Sequence, residues 1–224
     1  MNIEICCNSV QSAVNAKRAG ATRIELCQDL ENGGTTPSYA TIKYCVEQLK
    51  LDVFVLVRPR SGDFCYNEAE IAVMEEDVRK CKELGVAGIV VGFLRSDGTI
   101  DTDLTRRFVA ISAPVPVTFH RAFDRCADWQ KSLEQVVDCG CTRILTSGCE
   151  PTAEEGVENL KGIIQQAGER ITILVGSGVR PDNVRHIVEQ TGAQEVHGSC
   201  KHAVAGGWNE TDESAVKALL AAVK

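Results

Sequence analysis

Short apolar runs alternate with longer amphipathic stretches along the whole chain. Residues 53–57 form an unbroken apolar run, and Val115, Val117 and Phe119 recur at every second position, the period of a strand. Between such runs, apolar residues recur three and four positions apart, as over 71–84, which is the spacing of one helix face. Strands are predicted, in chain order, at residues 3–7, 23–27, 53–57, 88–92, 115–119, 143–146, 171–175 and 195–197.

Helix start and stop signals fall between the predicted strands. Side chains that can accept a hydrogen bond from a free backbone N–H predict N-caps at Ser9, Asn67, Asp101 and Asp128. The pairs Asn67–Glu70 and Thr152–Glu155 have the spacing of a capping box. Prolines suit the first turn of a helix, which predicts helix starts at Pro37 and Pro181. Glycines that can end a helix just before a strand are Gly20, Gly85, Gly140 and Gly192.

Eight strand–helix units in strict alternation indicate the fold class. Unbroken apolar strands are typical of a parallel sheet that is covered on its faces. The α/β pattern therefore predicts a closed (β/α)₈ TIM-type barrel, with residues 1–224 forming a single domain. The alternative is an open doubly wound sheet, which would normally carry a glycine-rich fingerprint after the first strand, and residues 7–9 contain no glycine.

Composition narrows the class of protein. Hydrophobic residues make up 44% and charged residues 25% of the chain, as in ordinary globular proteins. A formal net charge of −7 argues against a nucleic-acid partner, because phosphate backbones attract basic surfaces. No apolar run approaches the roughly 18 residues that span a membrane, and Met1–Glu4 lacks the pattern of a secretion signal. We therefore expect no membrane partner and a cytoplasmic location.

The chain contains 11 cysteines, an odd and unusually large number. They are scattered along the chain without a Cys-x-x-Cys pair, so most are predicted to be reduced thiols that fill the core. Cys6 and Cys27 are expected to point into the barrel at the tops of neighbouring strands. Two facing thiols suit Cu(I) or zinc, although the residues alone, without a local spacing motif, favour core thiols.

The alternation within the strands predicts a polar barrel interior. In each strand the apolar set must meet the helices, so the opposite set must point inward. The titratable or charged residues predicted to point inward are Glu4, Glu25, Arg58, His120, Glu195 and His197. Because burying unpaired ions costs several kcal/mol, these groups must pair with one another or with a ligand. A site at the C-terminal mouth is therefore predicted, and a purely structural ion network is the alternative.

The loops that follow the strands add further candidates. Small residues after strands seven and eight often present backbone N–H groups to a phosphate, and the nearby arginines favour an anionic or phosphorylated small ligand. The predicted substrate-binding residues are Glu4, Arg58, Arg60, Asp63, Arg121, Ser147, Gly148, Gly176, Gly178 and Ser199. The predicted catalytic residues are Glu25, His120, Asp124 and His197. Here His120 or His197 would be the acid/base and Glu25 its orienter, whereas Asp124 taken alone also fits a salt bridge at a strand end.

Long motifs of this chain resemble the CutC copper-homeostasis family. The matching segments, in the same order as in the family, are residues 23–27, 31–37, 58–66, 118–124, 145–148 and 195–197. The resemblance implies a cytoplasmic TIM-type barrel that is a homo-oligomer and handles copper, with Cys6 and Cys27 as the copper ligands. Two departures are the sequence Gly-Ser-Gly at 176–178 and a short tail after His197, where many relatives carry more glycines and a longer insertion.

Two functions therefore remain open from the sequence. The first is copper binding and copper homeostasis, with Cu(I) as the cofactor and another divalent metal as the alternative. The second is an enzyme of hydrolase, lyase or isomerase type that acts on an anionic or phosphorylated small substrate. In the second, His120 or His197 is the acid/base, and Arg58, Arg60 and Arg121 clamp the anion.

Overall fold

Eight parallel strands close into a barrel in the computed structural model, which describes residues 1–223. Each strand pairs with the next, and the last pairs with the first, with Glu4 opposite His197 in register. The closure confirms the predicted (β/α)₈ TIM-type barrel and excludes the open sheet. The strands are β1 (Asn2–Cys7), β2 (Arg23–Leu26), β3 (Asp52–Leu56), β4 (Gly88–Val91), β5 (Val117–Phe119), β6 (Arg143–Thr146), β7 (Thr172–Gly176) and β8 (Glu195–Gly198).

Eight helices surround this barrel, and two short 3₁₀ turns lie at Leu30–Asn32 and Arg121–Arg125. The second helix continues as a π-helical turn over Tyr44–Gln48. The helices are α1 (Val10–Ala19), α2 (Tyr39–Lys43), α3 (Glu68–Glu83), α4 (Thr102–Ser112), α5 (Trp129–Asp138), α6 (Val157–Ala167), α7 (Val184–Thr191) and α8 (Glu213–Ala222). Among residues 1–223, no helix combines the length and the apolar character that crossing a membrane requires.

The predicted polar caps mostly form. The side chains of Ser9, Asp101 and Asp128 each accept a hydrogen bond from a backbone N–H in the first turn of α1, α4 and α5. Asn67 and Glu70 make the reciprocal capping box at the start of α3. These starts were predictable because the bonds are made within one turn of chain.

Three predicted helix starts are wrong by a few residues. α2 begins after Ser38, whose side chain caps it, and not at Pro37. The Thr152–Glu155 pair forms its hydrogen bonds, but it closes a turn ahead of α6. Pro181 likewise lies in a turn before α7. In the turn before α6, the Ala153 N–H donates to the backbone of the loop after β7, so a tertiary contact overrides the local helix signal.

The apolar core has two parts, and the division confirms the predicted alternation. The large outer cluster lies between strands and helices and includes Val53 and Val55. Phe54 and Leu56, from the same strand, belong to a separate small cluster with Cys6, Cys27 and Val90. Alternate side chains of β3 therefore point to opposite sides of the sheet, and the small cluster fills the barrel interior.

An antiparallel hairpin follows β8, where the sequence predicted only a short tail. It pairs β9 (Lys201–Ala203) with β10 (Asn209–Thr211), and Asp212 then caps α8. Its two strands are three residues long and mostly polar, so they carry no alternation that sequence reasoning could have detected. The hairpin matters for the site because Lys201 reaches the barrel mouth.

Candidate functional site at the barrel mouth

A cavity of about 300 Å³ opens at the C-terminal mouth of the barrel, and we call it the mouth cavity. Polar side chains from five different strand ends reach it. Cys6 comes from β1, Glu25 from β2, Arg58 from beyond β3, His120 from the end of β5 and His197 from β8. All five are buried, which is how a barrel scaffold brings groups from distant parts of the chain together.

The floor of the mouth cavity is a cluster of thiol, carboxylate and imidazole groups. The Cys6 thiol donates to Glu25 Oε2 at 3.4 Å, and His197 Nε2 lies 3.8 Å from the same oxygen. The Cys27 sulfur lies 4.0 Å from the Cys6 sulfur. Cys6, Glu25 and His197 can each offer a ligand atom, and these atoms lie within 4.8 Å of one another. The floor can therefore hold a metal ion between ligands from three adjacent strands.

Glu4 fixes the orientation of the His197 ring. Its Oε1 lies 2.9 Å from His197 Nδ1, and its Oε2 lies 3.2 Å from Arg23 Nε. A carboxylate on one ring nitrogen leaves the other nitrogen, Nε2, directed to the floor cluster, which is a common arrangement behind metal-binding histidines. Glu4 does not line the cavity itself, so its contribution to the site is indirect.

Burial and close packing shift the proton affinities of the floor groups. The hydrogen bond with Cys27, followed by burial, raises the pKa of the Cys6 thiol well above its ordinary value. Burial raises the pKa of Glu25. Burial alone would lower the pKa of His197, but the neighbouring Glu25, Cys6 and Glu4 raise it well above its ordinary value. The protonated forms of all three groups are therefore favoured, and a metal ion that binds there would have to replace protons.

Arg58 is a buried cation on the cavity wall, with 3% of its surface exposed. Its Nη1 donates to the carbonyl oxygens of Gly34 at 2.8 Å and Asn32 at 3.3 Å, and its Nη2 donates to that of Gly62 at 2.9 Å. The guanidinium also lies over the Phe64 ring, 5.0 Å from its centroid. Within residues 1–223, Arg58 Nε is buried without a hydrogen-bond partner.

His120 is held as a neutral imidazole next to Arg58. Its Nδ1 accepts a hydrogen bond from the Ala122 N–H at 3.1 Å, so in the neutral ring the proton sits on Nε2. Burial, followed by the charge of Arg58, lowers the pKa of His120 to about 3. The ring packs against Phe64, with centroids 5.0 Å apart, and directly over Gly92, where a Cβ would overlap the imidazole.

Asp124 organises the loops beside the cavity. Its carboxylate accepts hydrogen bonds from the Thr146 hydroxyl, from the Ser147 N–H and hydroxyl, and from the Cys149 N–H. Arg121 Nε lies 2.7 Å from the same carboxylate, and the Arg121 side chain reaches the mouth cavity while remaining partly exposed. With this many donors, Asp124 has little capacity left for a substrate, and its geometry suits a positioning role.

The glycines and serines predicted for a phosphate loop divide into two groups. Gly178 and Ser199 line the mouth cavity. Ser147, Gly148 and Gly176 lie outside its lining; Ser147 hydrogen-bonds to Asp124, and the two glycines are needed for packing. A Cβ at Gly176 would come within 2.6 Å of the Leu145 side chain, and one at Gly148 would come within 2.6 Å of a backbone oxygen in the turn before α6.

Arg60 and Asp63 bind each other away from the cavity lining. Arg60 Nε lies 2.6 Å from a Glu70 oxygen, and Arg60 Nη2 lies 2.9 Å from Asp63. Arg60 also donates to the Cys65 carbonyl oxygen and lies over the Tyr66 ring. With these partners in place, the structure does not bring Arg60 together with Arg58 and Arg121.

The expectation that all inward polar groups meet at one rim is wrong for Glu195. As the first residue of β8 it lies at the opposite, N-terminal end, where its carboxylate is 2.6 Å from Arg23 and 3.6 Å from Arg143. Arg143 also lies 3.8 Å from Glu4 and stacks on the Phe54 ring. Alternation within a strand predicts which side a residue faces, but not its depth along the barrel. We call Arg23, Arg143, Glu4 and Glu195 the base layer.

Sequence reasoning also missed three groups. Arg23 and Arg143 are the first residues of β2 and β6, and the alternation in these strands points both into the barrel. This alternation could have identified them as interior residues. Phe64 lines the mouth cavity from a polar loop, and an aromatic residue in such a loop is the signal that could have indicated it.

Comparisons with known proteins agree with one another. A sequence model of the CutC family matches residues 1–202. A CutC family protein of Parabacteroides distasonis is 48% identical over 203 residues, covering 90% of this chain and 84% of that protein. The human copper homeostasis protein cutC homolog is 46% identical over 199 residues, covering 89% of this chain and 73% of that protein.

Solved structures show the same likeness. A CutC crystal structure from Streptococcus agalactiae is 36% identical, with a TM-score of 0.85, covering 89% of this chain and 98% of that one. A structure described as native KDPGal has a TM-score of 0.67 at 16% identity, covering 100% of this chain and 94% of that one, and shares the fold alone.

Proposed function

The chain belongs to the CutC family, and from that premise we propose that it is a cytoplasmic copper-homeostasis protein that binds copper at the floor of the mouth cavity. The observation that carries the proposal is the convergence of Cys6, Glu25 and His197, with a second thiol, Cys27, 4.0 Å from the first. Copper homeostasis is part of the names of similar proteins, and thiol and imidazole groups are ligands that copper takes.

The donor set fits a soft metal ion. Thiolate and imidazole ligands favour Cu(I), and the same ligands with a carboxylate also suit Zn²⁺, which is the alternative ion. Cys6, Cys27 and the Nε2 of His197 would ligate the ion, with Glu25 beside them. Glu4 would hold His197 in the ligating orientation through their 2.9 Å contact.

A competition titration with a Cu(I) chelator tests the proposal. The double variant Cys6→Ser/Cys27→Ser should lose tight Cu(I) binding, and His197→Gln should weaken it. The matched control is Cys126→Ser/Cys149→Ser, which removes two other free thiols away from the floor and should leave the affinity unchanged. Unchanged affinity in the first double variant would refute the floor site, and a Zn²⁺ titration on the same variants identifies the preferred ion.

The second candidate is an enzyme that acts on an anionic or phosphorylated small substrate. The observation that favours it is a neutral imidazole, His120, beside the buried Arg58 in the same cavity as His197. His120 or His197 would be the acid/base, Glu25 an orienter, and Arg58 with Arg121 the anion clamp. Arg60, the third predicted clamp residue, would first have to leave Glu70 and Asp63.

A thermal-shift screen of a metabolite library, run with and without Cu(I), separates the two candidates. A stabilising metabolite should then be turned over by the wild type and not by a folded His120→Ala variant. Stabilisation by Cu(I) alone, with no metabolite effect, would leave only the copper function.

We further propose that residues 1–224 act as one domain and assemble into a homo-oligomer, as the resemblance to the family implies. Size-exclusion chromatography with light scattering measures this directly. A mass well above the 24.3 kDa of one chain is expected, and a mass of one chain at all concentrations would refute it.

A further inference from the structure

Two buried donors on one wall of the mouth cavity have no partner within the described residues. Arg58 Nε and His120 Nε2 are both buried and unbonded, while the two residues are only 3% and 5% exposed. Three N–H groups of Arg58 reach carbonyl oxygens, out of the five that a guanidinium carries. Seven buried side-chain polar atoms lack a partner within residues 1–223, and these two alone belong to residues that line the mouth cavity. Because an unpaired buried donor costs free energy, the two indicate an acceptor that enters from the cavity.

The charge balance on this wall is also incomplete. Arg58 pairs with backbone oxygens and makes no ion pair within residues 1–223, so its positive charge is buried without a carboxylate. His120 contributes a dipole and no negative charge, since its ring is neutral with the proton on Nε2. Arg121 adds a second cation at the rim of the same cavity, where it is paired with Asp124, so Arg58 carries the unpaired charge of this wall. An anion is the ligand that would satisfy both the open donors and the open charge.

The Phe64 ring packs against both residues. Its ring centroid lies 5.0 Å from the Arg58 guanidinium and 5.0 Å from the His120 ring, and it is itself a lining residue of the cavity. The ring is only half-buried and belongs to a loop, whereas Arg58 is held by three carbonyls and His120 is wedged over Gly92. Movement of this half-buried side chain would therefore open the cavity wall to donors that are already in position.

We propose that Arg58 and His120 form an oxyanion subsite, lined by Phe64, that takes the carboxylate or phosphate group of a small ligand. The subsite deepens the second candidate function, the enzyme that acts on an anionic substrate. It rests on that function in one respect, since the bound group would belong to the enzyme's substrate. The subsite differs from the floor in its chemistry, since hard N–H donors replace thiols, so it can exist whether or not the floor binds copper.

Titration of ¹⁵N-histidine-labelled protein tests the subsite without needing turnover. The chain has four histidines, so the His120 Nε2–H signal can be assigned by comparison with His120→Phe. Inorganic phosphate and acetate are the two probes, and potassium chloride at equal ionic strength is the control. One of the two probes should shift the His120 signal saturably, and the stronger probe identifies the group that the subsite prefers.

Variants show whether the named donors are responsible. Isothermal titration calorimetry measures affinity in the variants, since His120→Phe has no His120 signal to follow. Affinity for the stronger probe should fall about tenfold or more in His120→Phe and in Arg58→Lys. It should be unchanged in Arg95→Gln, which removes an exposed rim cation that is paired with Asp101 and Asp103. It should be no weaker in Phe64→Ala, which removes the ring that packs against both residues.

The same titration in Cys6→Ser/Cys27→Ser separates this proposal from copper binding. Anion binding that survives there while Cu(I) binding is lost supports a separate subsite. Absence of a saturable shift in the wild type, a shift that potassium chloride reproduces, or equal affinity in His120→Phe would overturn the proposal. The wild-type titration decides the matter even if the Arg58 variant fails to fold.

Discussion

Arginines lie at both ends of the barrel interior, but the groups that pair with their charge differ between the two ends. At the N-terminal end, Arg143 and Arg23 face the carboxylates of Glu4 and Glu195, and the contacts between them range from 2.6 to 3.8 Å. At the mouth, Arg58 reaches only carbonyl oxygens and lies beside a neutral histidine whose Nε2 is unbonded. Within residues 1–223 every base-layer arginine faces a carboxylate, although Arg23 Nε lacks a well-aligned hydrogen bond, whereas Arg58 at the mouth faces no carboxylate.

This difference separates structural from functional burial. Arg58 and Arg143 are each less than a tenth exposed, so burial alone cannot tell them apart. Buried charges that pair with one another need no ligand. Buried donors beside a cavity that have no partner in the protein need an acceptor from a ligand. Glu4 connects the two ends, since one of its oxygens meets Arg23 and the other meets His197 on the mouth floor. The base layer thereby also stiffens the proposed metal site.

Removal of a base-layer cation should have the largest effect on stability. Arg143→Leu leaves Arg23 as the one arginine facing Glu195 and Glu4, and it also removes the stack on Phe54. We expect the free energy of unfolding to fall by about 3 kcal/mol, because an uncompensated buried charge remains. Urea unfolding followed by circular dichroism measures it. A loss below about 1 kcal/mol would show that the base layer is not a closed network.

Removal of the mouth imidazole should instead change the pH dependence of stability. The unfolded chain binds a proton at His120 below about pH 6.5, whereas the folded chain binds it only near its pKa of about 3. The folded state is therefore progressively destabilised by His120 as the pH falls from about 6.5 towards 3. Between pH 7 and 5, this contribution amounts to about 2 kcal/mol.

His120→Phe has no imidazole at this position, so its stability should not show this loss between pH 7 and 5. The difference in free energy of unfolding between wild type and variant should therefore be smaller at pH 5 than at pH 7, by the same amount. Urea unfolding at the two pH values gives the comparison, and His186→Phe provides a control histidine from a helix outside the barrel. Parallel pH profiles for wild type and His120→Phe would contradict a buried neutral imidazole.

The smallest effect is expected at the exposed rim. Arg121→Gln removes an ion pair with Asp124, but the Arg121 side chain is 42% exposed and Asp124 keeps its bonds to the loop after β6. Unfolding should become easier by less than about 1 kcal/mol. A loss as large as that of Arg143→Leu would mean that rim and base are held by the same kind of interaction.

The barrel itself could be predicted because its signals are local and repeated. Caps such as Asn67 with Glu70 act within one turn, and the alternation in β3 separates Phe54 and Leu56 from Val53 and Val55. The hairpin after β8 could not be predicted, since its short polar strands are fixed by pairing with each other and by hydrogen bonds between Thr211 and α1, which are distant in sequence.

The site was predictable in its residue types but less so in its arrangement. Inward parity identified Cys6, Glu25 and His197, yet their meeting depends on the stagger between strands, which places Cys6 opposite Glu25 and Glu4 opposite His197. The same stagger sends Glu195 to the far end. Depth along the barrel is a property of the closed sheet and not of any one strand.

The central claim is that the open groups at the mouth bind ligands while the base layer binds none. Anomalous diffraction at the copper edge, from crystals grown with Cu(I) and phosphate, tests it most directly. We predict a copper peak bonded to Cys6 and His197, together with phosphate density against Arg58 and His120. Copper at the Cys126 and Cys149 thiols, or phosphate at Arg23 and Arg143, would contradict the account.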